Sequence, residues 1–480
     1  MPAESQQPAA CGPSESQQFP APRAAHPSQP AEPPHTQRPP RPARAPQPAG
    51  AAAHAQQAQP PHLTHASQPA EPPRPTRTPQ KVGAARAAQA PLSYAIFSAL
   101  YAPHVGGVEA YTAGLAGELA RRGRRVTVIT CRLAPEHPAR ETQSDGVDVL
   151  RLPCRPLLGG RLPLLRGRAS VRQALSGLAE TPPDRVVVNT RFYPLSLAGA
   201  HFAQRLGLPA CVIEHGSAHL SLGNPLADKA VEAYEHRATE RVKACGHPFC
   251  GVSAAALSWL EHFGIRGRGV VPNAIDPAAF AAQASARDFR VELGLSADAF
   301  LVAFVGRLVP EKGVDALLQA ASEAACRPSL EQVAFAFAGD GPLASAVRDA
   351  SRNVHALGPL SAPDVSALLR GADAVCLPSR SEGFATVLLE AAAMGTAPLV
   401  TRVGGVDELG IAHGRGIVLE DARPSTLLAA LERAASQRAA CAQWGERLRE
   451  HARKHVGWPQ TADALEAIFD AYEAERRVAP

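Results

Sequence analysis

Short apolar runs alternate with amphipathic runs along most of this chain, starting near residue 93. The first unit has an apolar run at Tyr94–Ala102, a run with helical spacing from about Ala110 to Arg122, and a second apolar run at Arg125–Thr130. Short apolar runs predict buried strands, and apolar positions repeated every three or four residues predict helices. Strand, helix and strand in this order predict a βαβ unit, whose two strands lie parallel in one sheet.

The same alternation continues in two series, separated by a segment without a strong period. That segment, Asn273–Ala286, contains small and polar residues and is interpreted as a hinge. The predicted strands are Arg185–Asn189, Ala210–Glu214, Phe249–Val252 and Gly269–Pro272 before it, and Phe300–Phe304, Val333–Ala338, Val354–Leu357, Val375–Pro378 and Ala397–Thr401 after it. The predicted helices are Glu232–Lys243, Ala254–Phe263, Val314–Ala325, Pro363–Arg370 and Ala385–Met394. We therefore predict two doubly wound parallel-sheet domains, residues 93–275 and 276–457, and a C-terminal helix within 458–480.

Residues 1–92 have a different composition, rich in Pro, Ala, Gln, Ser and His, with Phe19 as the only aromatic residue before Tyr94. The sequence SQPAEPP occurs twice, at Ser28–Pro34 and Ser67–Pro73. Such a segment buries too little apolar surface to offset the entropy of ordering it. It is predicted to be a disordered tail, either a solvated extension or a polyproline segment that binds a partner domain.

The overall composition argues against several classes of protein. Of the 480 residues 45% are hydrophobic, enough for a core, and the net charge of +5 is too small to indicate nucleic-acid binding. The nine cysteines are scattered, so no disulfide framework is expected. No run reaches the roughly 18 consecutive apolar residues of a membrane-spanning helix, and the N-terminus lacks the apolar core of a signal peptide. These features predict a cytoplasmic protein with reduced thiols.

One group of residues has a spacing that metal sites also use. Cys245, His247 and Cys250 form the sequence CGHPFC. A zinc site needs further ligands, and no second pair follows at a suitable distance. We therefore predict no metal site in the chain.

Glycine-rich turns follow two of the predicted strands, at the sheet edge where α/β proteins bind ligands. Gly106 and Gly107 precede the first helix, whose N-terminus favours an anion, although a plain tight turn has the same sequence. Gly306 begins a second loop, which carries Arg307 and Lys312. Gly313 stands where a P-loop would have a magnesium-binding hydroxyl, so a P-loop is excluded. The loop suits a diphosphate held by cations without a metal, or two solvated surface cations.

Three other strand ends carry polar residues. Glu214-His215-Gly216 follows one predicted strand, Ser253 another and Asn273 a third. A histidine in such a loop is either a surface residue or a functional one, and the adjacent glycine permits a ligand to approach closely.

The stretch Val375–Gly405 places a charge in an apolar helix. Glu390 lies among Val, Leu and Ala residues, where an unpaired carboxylate is costly, and Glu382 lies in the loop before the helix. We predict that both carboxylates face one cleft. Gly339 ends a neighbouring strand, so several candidate residues converge on one edge of the second sheet.

Taken together, these motifs resemble those of glycosyltransferase family 4. The motifs are GGVE at Gly106–Glu109, VPNAID at Val271–Asp276, FVGRLVPEKG at Phe304–Gly313, AGDGP at Ala338–Pro342, and the stretch from Leu377 to Gly405 with Glu382 and Glu390 in the spacing Glu-x7-Glu. The resemblance covers roughly residues 93–460. It implies the GT-B fold, an α/β architecture in which two Rossmann-like domains face a cleft. It also implies that the last helix crosses back to the N-terminal domain.

The resemblance implies a role for each candidate residue. Arg307 and Lys312 would neutralise the diphosphate of a nucleotide-sugar donor as it leaves, and His215 would lie near the transferred sugar. The implied catalytic set is His215, Glu382, Arg307 and Lys312. The implied donor-binding set is Gly106, Gly107, Asn273, Gly306, Arg307, Lys312, Gly339, Glu382, Gly383, Phe384, Ala385, Thr386 and Glu390. Within it, Glu390 would bind the ribose, Glu382 with Gly383 and Phe384 the sugar, and the backbone amides of Gly107, Ala385 and Thr386 the phosphate or sugar.

The implied activity is transfer of a hexose from a UDP- or GDP-sugar to a glycan or lipid-linked acceptor, with retention of configuration and without a metal cofactor. Such a reaction would belong to cell-envelope polysaccharide or glycolipid biosynthesis. A nucleotide-sugar epimerase or phosphorylase, and a non-catalytic scaffold that binds nucleotide sugars, are the alternatives. The segment Leu150–Arg172 carries six arginines and no acid. It is interpreted as a loop that either contacts an anionic membrane or is simply solvated.

Overall fold

A computed structural model describes residues 91–104, 106–157, 160, 162–221 and 224–478. The predicted disordered tail lies outside these residues, except for its last two positions.

The first domain is built on a sheet with the order β3-β4-β2-β1-β6-β7-β8, and β5 pairs with β4. β3 and β5 run antiparallel to β4, and the other pairs are parallel. The strands are β1 (Ser93–Phe97), β2 (Arg125–Arg132), β3 (Arg140–Thr142), β4 (Asp148–Leu157), β5 (Leu162–Leu165), β6 (Arg185–Asn189), β7 (Ala210–Glu214) and β8 (Phe249–Gly251). The helices are α1 (Gly107–Arg121), α2 (Arg168–Ala174), α3 (Ser176–Glu180), α4 (Pro194–Leu206), α5 (Pro225–Lys243) and α6 (Ala254–Glu261).

The second domain is built on a six-stranded parallel sheet with the order β11-β10-β9-β12-β13-β14. Its strands are β9 (Phe300–Val305), β10 (Val333–Ala338), β11 (Val354–Gly358), β12 (Ala374–Leu377), β13 (Ala397–Thr401) and β14 (Ile417–Leu419). Its helices are α7 (Pro277–Ala282), α8 (Phe289–Glu292), α9 (Val314–Ala324), α10 (Ala344–Arg348), α11 (Ala362–Gly371), α12 (Thr386–Met394), α13 (Pro424–Ser436) and α14 (Arg438–His455).

Both sheets are Rossmann sheets. Counting only the parallel strands, each has the order 3-2-1-4-5-6, with the turning point between the first and fourth strands. Every residue of β1, β6, β7 and β10 is buried, as expected for strands covered by helices on both faces. The predicted fold class, two doubly wound parallel-sheet domains, is therefore confirmed.

The last helix, α15 (Trp458–Val478), packs against the first domain. Phe469 is fully buried with its ring edge-on to Tyr94, at 6.1 Å between centroids. Arg185 of β6 donates to Glu473 at 2.8 Å, and Arg122 donates to Glu466 at 3.0 Å. The chain therefore returns from the second domain to the first before it ends.

Several predicted elements differ from the structure. The first strand ends at Phe97 instead of Ala102, because the hydroxyl of Ser98 donates to the carbonyl of Leu100 and the chain turns there. Gly269–Pro272 is not a strand, and its Val270 forms an isolated bridge with Gly251. The hinge contains helix α7, because the carboxylate of Asp276 caps it by accepting from the amides of Ala278 and Ala279.

The interpretation of Leu150–Arg172 as a loop is wrong. Most of the segment forms the antiparallel hairpin of β4 and β5, followed by α2. Arg151 is buried and donates to Glu141 at 2.7 Å, so it belongs to the structure of the domain. Arg155, Arg166 and Arg172 are exposed.

Candidate active site

A cavity of 550 Å³ lies where the carboxyl ends of the two sheets face each other. The first domain contributes the segment from Glu214 to Ser221 and the residues that follow β6. The second domain contributes the loop after β9 and the loop between β12 and α12. Five of the predicted site residues line this cavity: His215, Arg307, Lys312, Glu382 and Gly383.

Two cations line the side of the cavity that belongs to the second domain. Arg307 is exposed, and its guanidinium makes no hydrogen bond or ion pair with the described residues. Lys312 ends a short 3-10 turn and forms an ion pair with Glu382, whose Oε1 also accepts from the Ser379 hydroxyl at 2.9 Å. The lysine is therefore held in place by the carboxylate, whereas the arginine is available to a ligand.

The two domains approach each other closely at Gly383. Gly383 lies directly against His215, and a Cβ on Gly383 would overlap the carbonyl oxygen of His215. The hydroxyl of Ser253 donates to the carbonyl of Gly383, and the hydroxyls of Ser217 and Ser381 are 2.8 Å apart. Only glycine fits at position 383 in this arrangement.

His215 follows β7 and is held as a neutral imidazole. Its Nε2 lies 3.1 Å from Oδ1 of Asn189, and the ring of Tyr111 meets it edge-on at 4.7 Å. Nδ2 of Asn189 donates to Thr112, so in this arrangement Oδ1 accepts and His215 Nε2 carries the proton. Burial lowers the pKa of His215 to about 3. Its Nδ1 therefore presents a lone pair at neutral pH.

A buried ion network anchors the backbone on both sides of His215. Arg191 is fully buried and donates to Glu214 at 2.9 Å and to Glu235 at 2.7 Å. Glu214 accepts from the amide of Gly216 at 2.7 Å, and Glu235 accepts from the amide of Leu220 at 2.9 Å. Buried ion pairs add little net stability, because burying the charges is costly. The network fixes the segment that carries His215.

Glu390 lies on α12 and is partly buried. Burial raises its pKa to about 7. Its carboxylate makes no hydrogen bond or ion pair within the described ranges. Glu382 lines the cavity, and Glu390 is not among the residues that line it. That both carboxylates face one cleft stays a prediction.

The remaining predicted residues surround the cavity without lining it. Gly306 and Gly339 occupy the ends of β9 and β10, where the Gly306 amide donates to Ala338. Gly107 faces the methyl group of Thr386 across the domain boundary. Four other residues have partners within the protein. Asn273 accepts from the amide of Ala274, and the amide of Ala385 donates to the carbonyl of Gly404. The ring of Phe384 packs on Gly405, and the carboxylate of Glu109 covers Gly106.

Thr190 is a site residue that the sequence analysis missed. It lines the cavity directly after β6, with φ at +67°, and its buried hydroxyl has no partner among the described residues. A positive φ is rare for a β-branched residue, and such strain concentrates at functional sites. Its position at the end of a parallel strand was the available signal.

The side chains of CGHPFC have separate partners. Cys245 donates to the carbonyl of Arg241, and His247 Nε2 lies 3.0 Å from the carbonyl oxygen of Ala200. Cys250 lies 3.9 Å from Cys211. The three side chains therefore do not converge on one point.

Two Rossmann domains that face a cleft with cations on one wall are the architecture of the GT-B fold. Family models agree in both halves: "Glycosyl transferase 4-like domain" matches residues 106–274, and "Glycosyl transferases group 1" matches residues 285–451. The chain belongs to glycosyltransferase family 4, and it is a glycosyltransferase.

Curated relatives and solved structures agree with this assignment. The chain is 28% identical to the D-inositol 3-phosphate glycosyltransferase of Kineococcus radiotolerans, over 76% of this chain and 90% of the relative. It is 29% identical to the enzyme of the same name from Pseudarthrobacter chlorophenolicus, over 66% and 78%. Its fold is similar to that of sucrose-phosphate synthase from Thermosynechococcus elongatus, with a TM-score of 0.61 and 19% identity over 80% and 100% of the two chains. Anabaena HepE in complex with UDP and glucose gives a TM-score of 0.56 and 18% identity over 79% and 100%.

Proposed function

We propose that this enzyme transfers a hexose from a UDP- or GDP-sugar to an acceptor hydroxyl, with retention of configuration and without a metal cofactor. The observation that carries the proposal is that Arg307, which has no partner among the described residues, lines the same cavity as Lys312 and His215. Two cations at one site suit the two negative phosphates of a diphosphate. A solved relative of the same fold, HepE, holds UDP-glucose.

The proposed chemistry follows from the charges on the two walls. The bond from the anomeric carbon to the diphosphate breaks, and its electron pair goes to the diphosphate oxygen next to Arg307 and Lys312. The acceptor oxygen bonds to the anomeric carbon, and its proton passes to the departing diphosphate. Fixed cations that meet charge as it develops lower the barrier without reorganisation. His215, neutral and with Nδ1 unprotonated, accepts a hydrogen bond from a sugar hydroxyl in this scheme.

The first prediction concerns the donor. We expect one nucleotide sugar of a UDP- and GDP-hexose panel to raise the thermal unfolding transition, because a ligand at about 100 times its Kd stabilises the folded state by about 2.7 kcal/mol. The identified donor is then incubated with acceptors, including D-inositol 3-phosphate because curated relatives are named for it. Nucleoside diphosphate released in an acceptor-dependent way supports a transferase. Sugar phosphate formed from donor and phosphate indicates a phosphorylase, and failure of every donor to bind supports the scaffold.

We further propose a lipid-linked acceptor and a peripheral membrane contact at the hairpin of β4 and β5. Leu157 is 43% exposed there, next to the exposed Arg155 and Arg166. A groove lined by Leu165, Leu197, Phe202 and others lies beside the hairpin. Among the described helices none has both the length and the apolar character needed to cross a bilayer.

The second prediction tests this contact. Replacing Arg155, Arg166 and Arg172 by Ala is expected to weaken binding to phosphatidylserine vesicles roughly a hundredfold, because each arginine near an anionic surface contributes about 1 kcal/mol. Sedimentation with vesicles measures the effect. A control variant in which Ala replaces three exposed arginines of the second domain, Arg348, Arg402 and Arg453, has the same change in net charge. Equal weakening in both variants would show that net charge alone drives binding.

A further inference from the structure

Three histidines and a glutamate of the first domain converge on one point. His219 comes from the segment after β7, Glu232 and His236 from α5, and His262 from the end of α6. One ligand atom from each lies within 4.8 Å of every other. Glu232 and His236 are four residues apart on one helix, so both side chains face the same side.

Two of the distances between these side chains match the coordination shell of a tetrahedral metal ion. Nε2 of His262 lies 3.2 Å from Nε2 of His219 and 3.2 Å from Nε2 of His236. Zinc binds imidazole nitrogen at about 2.0–2.1 Å, so two ligands on a tetrahedron lie about 3.3 Å apart. Glu232 Oε1 lies 3.8 Å from Nε2 of His219, close enough to serve as a fourth ligand.

Hydrogen bonds alone do not explain this geometry well. Nδ1 of His219 lies 3.0 Å from the carboxylate of Glu235, which favours a proton on Nδ1 and leaves Nε2 as a lone pair. A neutral His262 has one Nε2 proton at most, so this single proton would have to be shared between the Nε2 atoms of His219 and His236. A cation bound to the three Nε2 atoms would satisfy all of them at once.

The surroundings are those of a supported metal site. A ligating histidine normally donates its other ring nitrogen to a carboxylate, which fixes the tautomer. Glu235 has this position relative to His219 and is itself fixed by Arg191 and by the amide of Leu220. The ring of Trp259 stacks on His262, with centroids 4.8 Å apart and planes 4° apart, and so orients that ligand.

We propose that His219, Glu232, His236 and His262 bind a divalent transition-metal ion, with zinc as the ion that the geometry fits best. Four protein ligands leave no open position, which is typical of a structural site. The ion would tie the segment that carries His215 to α5 and α6. The site uses only residues of the first domain, so it stands whether or not the proposed donor chemistry is correct.

The third prediction is that the full chain, without an affinity tag and after treatment with a chelator, binds one Zn²⁺ ion tightly. We expect a His236→Gln/His262→Gln variant to bind it more than 100-fold more weakly, since even the loss of an outer-shell partner costs about 10–100-fold. A His201→Gln/His413→Gln variant loses two exposed histidines elsewhere and should keep the wild-type affinity. Calorimetric titration with ZnSO₄ measures all three proteins, which share the same N-terminal histidines.

Two further readouts report on geometry and folding. Co²⁺ in the wild-type protein should give the intense visible absorption of a tetrahedral ion and should quench the fluorescence of Trp259. The His236→Gln/His262→Gln variant, here called the cluster variant, should show neither effect. Zn²⁺ should raise the thermal transition of the wild type but not of the cluster variant. Circular dichroism of the zinc-free proteins checks that the variant is folded. Equal zinc affinity in the wild type and a folded cluster variant, or no binding by the wild type, would overturn the proposal.

Discussion

Replacing Arg307 by Ala is expected to lower kcat for sugar transfer by about 10²–10³-fold, the loss typical when one fixed donor to a developing charge is removed. Arg307 is exposed to the cavity, and its guanidinium has no partner among the described residues. Its removal therefore leaves no buried charge behind, and folding should be unaffected. The effect should fall on kcat more than on KM, because the charge on the diphosphate grows as the bond to the sugar breaks.

The comparison that isolates this effect uses a second arginine of the same domain. Arg453 is exposed on α14 and makes no contact with the cavity, so Arg453→Ala removes the same charge without touching the reaction. Lys312→Ala is less informative, because it leaves the carboxylate of Glu382 without its cation. Initial rates with the identified donor and acceptor measure both arginine variants. If Arg307→Ala and Arg453→Ala have the same kcat as the wild type, Arg307 does not stabilise the leaving group.

The fold could be predicted because its signals are local. Apolar runs such as Ala210–Glu214 and Val333–Ala338 became strands with those boundaries, since a strand buried on both faces is apolar along its whole length. The loop with Arg307 and Lys312 could be placed for a similar reason: it follows a strand directly, and all parallel strands end at one edge of the sheet. The helix boundary at Gly395 also follows from one residue, whose φ is +77°.

The parts that could not be predicted depend on contacts between distant residues. Arg191, Glu214 and Glu235 form one network, but their sequence neighbours do not show which charges will be buried together. The four residues of the proposed metal site come from a loop and two helices, so no spacing rule for metal ligands detects them. Leu150–Arg172 misled the prediction because six arginines without an acid are typical of a solvated loop, whereas here β4 lies near a sheet edge and tolerates arginine and proline.

Glu390 connects the stability of the enzyme with its proposed use of a donor. Burial raises the pKa of this carboxyl from 4.5 to about 7. Between pH 4.5 and 7 the folded protein therefore keeps a proton that the unfolded chain has lost, so stability falls as the pH rises through this window. Each pKa unit corresponds to 1.36 kcal/mol, so the loss is complete above pH 7 and amounts to about 3 kcal/mol at most. A residue that costs stability in the empty enzyme needs a functional reason to be there.

The last prediction is that Glu390→Gln stabilises the enzyme and weakens donor binding at the same pH. Gln cannot ionise, so the variant should match the wild type near pH 4.5 and exceed it by up to about 3 kcal/mol at pH 8. If the ionised carboxylate accepts hydrogen bonds from the donor ribose, their loss weakens binding by about 1.5–3 kcal/mol, roughly 10- to 100-fold. Wild-type donor affinity should then rise with pH through about 7, and that of the variant should not. Denaturant unfolding and donor titration at both pH values measure the two effects.

Glu331→Gln removes an exposed carboxylate of the same domain and should change neither stability nor donor affinity. The two measurements on Glu390→Gln can fail separately, which makes them informative together. A stability gain without loss of donor affinity would mean that burial of Glu390 is real but that the ribose binds elsewhere. A loss of affinity without a stability gain would mean that Glu390 is ionised at little cost in the empty enzyme, which would contradict the raised pKa. Both effects together would identify Glu390 as a carboxylate whose cost in the free enzyme is offset when the donor binds.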